Sequence, residues 1–281
     1  MISAVVAVLF ISFLLVYLYK GAYSRPKNFP PGPPRLPYYG SYYYIRALDF
    51  NNLANSFTKL GQIYKTKIVG CYLASFPTVV VNDSDLIKEM LYNEECDGRM
   101  DVILFRLRSY WKKLGNLPHC TPHCLSIFSI CTCSMPYTEA CIREAMRIDT
   151  LVPLGVPHRA TADTKLGGYH IPEDTMIGAN YTTLHMDKKI WGDPENFRPE
   201  RFITDGKLNL ALDKSLPFGA GRRLCAGETY ARQTMFQVFS AFMQAFHVST
   251  ADGKPLTKPT ERIQGIIISV PEFWVRVTPR E

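Results

Sequence analysis

The chain has 281 residues, of which 47% are hydrophobic, and a formal net charge of +7. That length holds one large domain or two small ones. The surplus positive charge is spread rather than clustered, with no basic patch interleaved with stacking aromatics, which excludes a nucleic-acid groove and suits an anionic membrane surface or an acidic protein partner.

Residues 1–20 open the chain as an apolar run, uncharged from Met1 to Tyr19. That is just long enough to cross a bilayer as a helix. A cleaved signal peptide would show a basic start and a small-residue cleavage site, and neither is present. Lys20, Arg25 and Lys27 follow the run, so the positive-inside tendency keeps the remainder cytosolic. The expectation is a signal anchor. The eight cysteines then face a reducing compartment, and their even number does not imply a disulfide framework.

Residues 21–50 form a linker built around Phe29-Pro30-Pro31-Gly32-Pro33-Pro34, a stiff polyproline-like spacer without helix potential. In the region 51–115, a short helix is expected from Asn51 to Leu60, ended by Gly61. Ile63 to Val69 and Thr78 to Val81 read as strands flanking a turn at Ser75-Phe76-Pro77. Asn82-Asp83-Ser84-Asp85 offers N-cap chemistry for a helix from Leu86 to Tyr92.

Residues 116–134 are different in character, with two histidines and four cysteines (His119, Cys120, His123, Cys124, Cys131, Cys133) and no charged residue. Their spacing does not match familiar zinc-finger patterns, in which paired ligands are separated by a longer insert. The stretch is read as a junction of unrelated character. Order is expected again over 135–281. Tyr137 to Arg147 carries apolar residues at helical spacing and places Glu144 and Arg147 on one face. A strand is expected around Lys165 to Ile171, and terminal strands at Ile266 to Val270 and Phe273 to Val277.

The stretch Phe218-Gly219-Ala220-Gly221-Arg222-Arg223-Leu224-Cys225-Ala226-Gly227 runs into a long amphipathic segment, Glu228 to Val248. A cysteine just before a helix N-terminus meets partial positive charge that favours its thiolate. Gly219, Gly221 and Gly227 let a flat ligand approach the main chain, and the two arginines suit carboxylates. An anionic sulfur aimed out of such a loop fits a thiolate that holds haem iron.

The string Phe-x-x-Gly-x-Arg-x-Cys-x-Gly resembles the haem-binding loop of the cytochrome P450 family, the haem-thiolate monooxygenases, at every fixed position. The resemblance implies that Cys225 is the axial iron ligand of haem (heme b), that Arg223 partners a propionate and that Phe218 packs beside the sulfur. Glu144 and Arg147 resemble the family's Glu-x-x-Arg helix, with Arg201 of Phe197-Arg198-Pro199-Glu200-Arg201-Phe202 as third, structural member. His158 of Val156-Pro157-His158-Arg159 fits the position that meets a haem propionate in microsomal members. The proline-rich linker resembles their hinge.

The resemblance covers residues 1–115 and 135–281. It implies a mainly α fold with small β-sheets (α+β), an incomplete cytochrome P450-like fold behind a transmembrane helix. It also implies an endoplasmic reticulum membrane location with the globular part facing the cytosol, an NADPH-dependent flavoprotein reductase as electron donor, and a small lipophilic substrate. The family's long distal helix with its acid–threonine pair has no counterpart between Gly115 and Met135. Trp111 does not supply the family's Trp-x-x-x-Arg either, because residue 115 is glycine. Family chemistry in this shortened chain is therefore set against a non-catalytic fragment with weak or no haem binding.

Overall fold

A computed structural model describes residues 2–100, 135–256 and 261–281. The junction 116–134, with its candidate zinc ligands, and Trp111 lie outside the described residues. The chain divides into two compact units, Met1–Met100 with Leu154–Thr183, and Asp101–Pro153 with Leu184–Glu281. Residues 154–183, expected within the C-terminal part, thus join the N-terminal unit.

The first unit begins with helix α1 (Ile2–Tyr23). No helix among the described residues is long and apolar enough to cross a membrane. Helices α2 (Tyr42–Leu48) and α3 (Leu53–Ile63) follow. Asn52 caps α3 by accepting from the Asn55 N–H, the Ncap chemistry that satisfies an orphan donor. Gly61 does not end this helix. It lies within the last turn, where a Cβ would come within 2.9 Å of the Asn82 amide, so its smallness serves packing. Lys65, at φ 50°, makes the turn beyond.

Strands β1 (Ile68–Leu73) and β2 (Phe76–Val81) form a hairpin. Its turn lies at Ala74-Ser75, with Ala74 left-handed at φ 54°, and Phe76 and Pro77 belong to the strand. Helix α4 (Ser84–Tyr92) starts two residues earlier than expected because the Asp83 side chain accepts from the Asp85 and Leu86 N–H groups. After β3 (Gly98–Arg99), the described chain returns to this unit with β4 (His158–Arg159), β5 (Thr164–Leu166), β6 (Tyr169–Ile171) and β7 (Met176–Ala179). The sheet order is β1-β2-β7-β4-β3, with β2 and β7 parallel, Val79 opposite Ile177. The single strand expected over 165–171 is instead the β5–β6 hairpin, split at Gly167 and Gly168, both at positive φ. Ile45, Phe57, Leu60, Val69, Cys71 and Val80 form the core. Burial pushes the Cys71 thiol up to about 12.

The proline segment is latched, not merely a spacer. The Arg25 guanidinium donates to the carbonyls of Pro30 at 2.9 Å, Gly70 at 3.0 Å, Gly32 at 2.6 Å and Pro33 at 2.7 Å. The Gly70 N–H donates to the Pro31 carbonyl at 2.9 Å. This approach requires glycine, since a Cβ on Gly32 would lie 2.0 Å from the Gly70 oxygen.

In the second unit, α5 (Pro136–Asp149) precedes the short helix α7 (Lys188–Trp191), and α6 (Tyr181–His185) ends at its entry. A 3-10 turn (Pro199–Phe202) leads into the hairpin of β8 (Ile203–Thr204) and β9 (Lys207–Leu208). Ala140, Trp191 and Phe202 make the core. Helix α8 (Glu228–Ala245) stops before Val248. The β-favouring run Phe246–Thr250 becomes β10, paired antiparallel with β11 (Val275–Pro279), Phe246 opposite Pro279. Ile266 to Val270 contributes only the isolated bridge Ile263–Ser269.

Candidate haem-thiolate site

The second unit holds a buried charge cluster. Arg147 Nε donates to Glu144 Oε2 and Nη2 to Oε1, each at 2.8 Å, the bidentate geometry that arginine brings to a carboxylate. Arg201 Nε and the Arg198 N–H both donate to Glu144 Oε1 at 3.0 Å. Glu144 and Arg147 are wholly buried. The donors left over find carbonyls: Arg147 Nη1 reaches His185 O at 2.7 Å and Nη2 reaches Pro194 O at 2.9 Å. Arg201 Nη1 reaches Trp191 O at 2.8 Å. The Trp191 ring lies beneath the Arg147 guanidinium at 5.1 Å. Two buried cations on one carboxylate are tolerable because nearly every donor has an acceptor. The structure thus brings Glu144, Arg147 and Arg201 together, and with them the chain around residues 191–201.

The cysteine loop follows in the same unit. Gly219 at φ 76° and Gly221 at φ 68° occupy left-handed backbone that side chains avoid. Gly227 has ordinary backbone. At φ −90° it needs no special freedom, and a Cβ there would make an ordinary 3.9 Å contact with Cys225 Sγ. The Cys225 N–H donates to the Phe218 carbonyl at 3.0 Å, closing the loop, and the Glu228 N–H donates to the Cys225 carbonyl at 3.2 Å at the start of α8. Cys225 is exposed, Arg222 is exposed and Arg223 half-buried. Phe218 is half-buried with the Arg232 guanidinium 5.0 Å from its ring.

His158 belongs to the first unit. It is buried, on β4, and its Nδ1–H donates to the Cys96 carbonyl at 2.9 Å. Among the described residues no group of three or more His, Cys, Asp or Glu could hold a metal ion. His185 is a site residue the sequence does not single out. It is fully buried, with Nδ1 2.8 Å from Thr150 Oγ1 and Nε2 accepting from the Leu216 N–H at 3.0 Å.

The donor set fits a haem thiolate: an exposed sulfur before a helix N-terminus, two left-handed glycines in the loop, and adjacent guanidinium groups. A sequence model described as Cytochrome P450 matches residues 30–132 and 131–275. The chain belongs to the cytochrome P450 family. That family carries haem b on a cysteine thiolate, and the matching loop residue here is Cys225.

Farnesoate epoxidase of Bombyx mori is 42% identical to this cytochrome P450 over 147 residues, 52% of this chain and 29% of that protein. Cytochrome P450 2J5 of Mus musculus is 40% identical over 147 residues, with the same two shares, 52% and 29%. Cytochrome P450 2U1 of Rattus norvegicus is 38% identical over 146 residues, 52% and 27%. The chain therefore spans under a third of the length of these curated relatives. A solved zebra fish cytochrome P450 with abiraterone is 36% identical, covers 52% of this chain and 34% of its own, and superposes with a TM-score of 0.46.

Proposed function

We propose that this chain is a haem-thiolate protein of the monooxygenase type, held at the endoplasmic reticulum membrane by the apolar run of residues 1–20, with the remainder cytosolic. The observation that carries it is the loop closed by the Cys225 N–H on the Phe218 carbonyl, in the same unit as the buried Glu144–Arg147–Arg201 cluster. Cys225 would hold the haem iron through its thiolate, and Arg223 would meet a propionate. Bound haem supplies dioxygen activation, and the family reaction inserts one oxygen atom from O2 into a small lipophilic substrate. Electrons come from an NADPH-dependent flavoprotein reductase. The residues of this chain hold and orient. The loop fixes the sulfur, and the cations offset carboxylate charge.

A second reading has its own support. Tyr230 (72% exposed), Val238 (64%), Phe239, Phe242 and Met243 on α8 are uncovered among the described residues. A helix apolar around most of its circumference is built to be buried. That favours a non-catalytic fragment with weak or no haem binding. Reductase-driven turnover of a lipophilic substrate, normalised to haem content, decides between them. Product formed in step with NADPH consumption supports the monooxygenase. Haem without product, or no haem, supports the fragment.

A further inference from the structure

Both ring nitrogens of His185 are engaged, and the two ends of the chain of bonds fix its direction. The Leu216 N–H can only donate, and it meets Nε2 at 3.0 Å. A nitrogen that accepts carries no proton, so the neutral ring holds its proton on Nδ1. Nδ1–H then donates to Thr150 Oγ1 at 2.8 Å, and the Thr150 hydroxyl donates to the Arg147 carbonyl at 2.9 Å. Each group makes a bond that only this polarity allows.

The two anchors of this relay are the elements that matter for the site. Thr150 caps α5 at φ 33°, ψ 66°, a left-handed conformation that is an outlier for a β-branched residue and persists only where its surroundings hold it. Leu216 begins the cysteine loop: its carbonyl accepts from the Gly219 N–H at 3.1 Å, and the Phe218 carbonyl accepts from the Cys225 N–H at 3.0 Å. Arg147 also grips the His185 carbonyl at 2.7 Å. The ring is kept neutral: burial, reinforced by the Arg147 cation and only opposed by Asp213, takes its pKa down to about 3. Asp213 is in turn paired with Arg143 at 2.7 Å.

The geometry points to His185 as a positioning residue for the cysteine loop. It carries the rigidity of the Glu144–Arg147 helix through Thr150 to the Leu216 N–H, and so sets where the loop begins and where Cys225 is aimed. The consequence for iron rests on the haem-thiolate reading; the ordering of the loop is a property of the polypeptide alone.

Two substitutions separate the nitrogens. His185→Asn puts an amide where Nδ1 was, keeping the Thr150 bond and losing the acceptor for Leu216. His185→Gln reaches the Nε2 position and keeps that acceptor. Amide hydrogen exchange on the full chain in detergent micelles, without haem, should show exchange at Leu216 and Cys225 rising about tenfold in His185→Asn, the loss of one hydrogen bond. His185→Gln should stay within about twofold of the parent chain, and the Arg198 N–H on Glu144 should not change in either. With haem added, His185→Asn should lower the thiolate-ligated fraction of the reduced carbon monoxide spectrum at equal haem content. Equal effects of the two substitutions on exchange, whether none, the same rise or unfolding of both, would overturn the proposal. A parent chain with no haem spectrum would sink the haem-thiolate reading and leave the exchange result standing.

Discussion

Within the second unit, the Glu144 cluster and helix α8 solve opposite problems. The cluster closes on itself: carboxylate, two guanidinium groups, Trp191 and the surrounding carbonyls come from residues 144–201, and almost no donor is left over. Helix α8 does the reverse. Among its residues only Phe236 is buried, and large apolar side chains remain uncovered among the described residues. A polar cluster needs specific partners near it in space, and this chain supplies them. An apolar helix needs surface from other elements, and the described residues leave most of this one uncovered. The loop bearing Cys225 sits between the two, fixed at its start and uncovered along the helix that follows.

The comparison can be broken first at the cluster. Glu144→Leu leaves two buried cations without their carboxylate and should cost about 3–5 kcal/mol, read as a shift of the urea midpoint for the second unit. A loss under about 1 kcal/mol would show that the cluster is not the scaffold. The latch of the first unit is next. Gly32→Ala drives a Cβ to 2.0 Å from the Gly70 carbonyl and should destabilise by about 1–3 kcal/mol, with faster proteolysis of the proline segment. Wild-type stability with an intact latch would contradict the close approach.

A pH series sharpens the role of His185. Its folded pKa is lowered to about 3 from an ordinary 6.5 by burial, with Arg147 adding to the fall and Asp213 resisting it. Between those values the unfolded chain binds a proton that the folded ring refuses. Stability is therefore full above 6.5 and is lost as pH falls toward 3. Other groups, such as Asp193 with its lowered carboxyl, also contribute on the acid side, so the measured quantity is the difference from His185→Gln. A slope that persists unchanged in that variant would remove His185 as its source. The smallest effect belongs to α8: Glu228→Ala breaks the 2.8 Å pair with Arg232 and should cost less than about 1 kcal/mol.

What was legible in the sequence follows physical range. The Cys225 loop is one contiguous string whose glycines and cysteine carry their chemistry locally, and Glu144 with Arg147 is a helical pair three residues apart. The cap chemistry before α4 is legible too, although the helix begins at Ser84 and not at Leu86 because Asp83 is the capping residue. The partnership of β2 with β7 joins residues about a hundred positions apart, and neither strand announces its neighbour. Gly61 reads as a stop because glycine weakens helices, yet packing against Asn82 outweighs that preference. The end of α8 was misjudged by three residues because Phe246 and Val248 fit a helix pattern until β11 offers them a partner. His185 carried no sequence signal at all. Its meaning lies in two hydrogen bonds, to Thr150 and Leu216, which exist only after the fold has formed.

The reduced carbon monoxide difference spectrum of the purified full chain, beside Cys225→Ser, tests the central claim most directly. A red-shifted Soret band that disappears in the variant at equal protein is the predicted result, since the closed loop leaves the Cys225 sulfur exposed. No haem spectrum in the parent chain, or an unchanged band in Cys225→Ser, would contradict it.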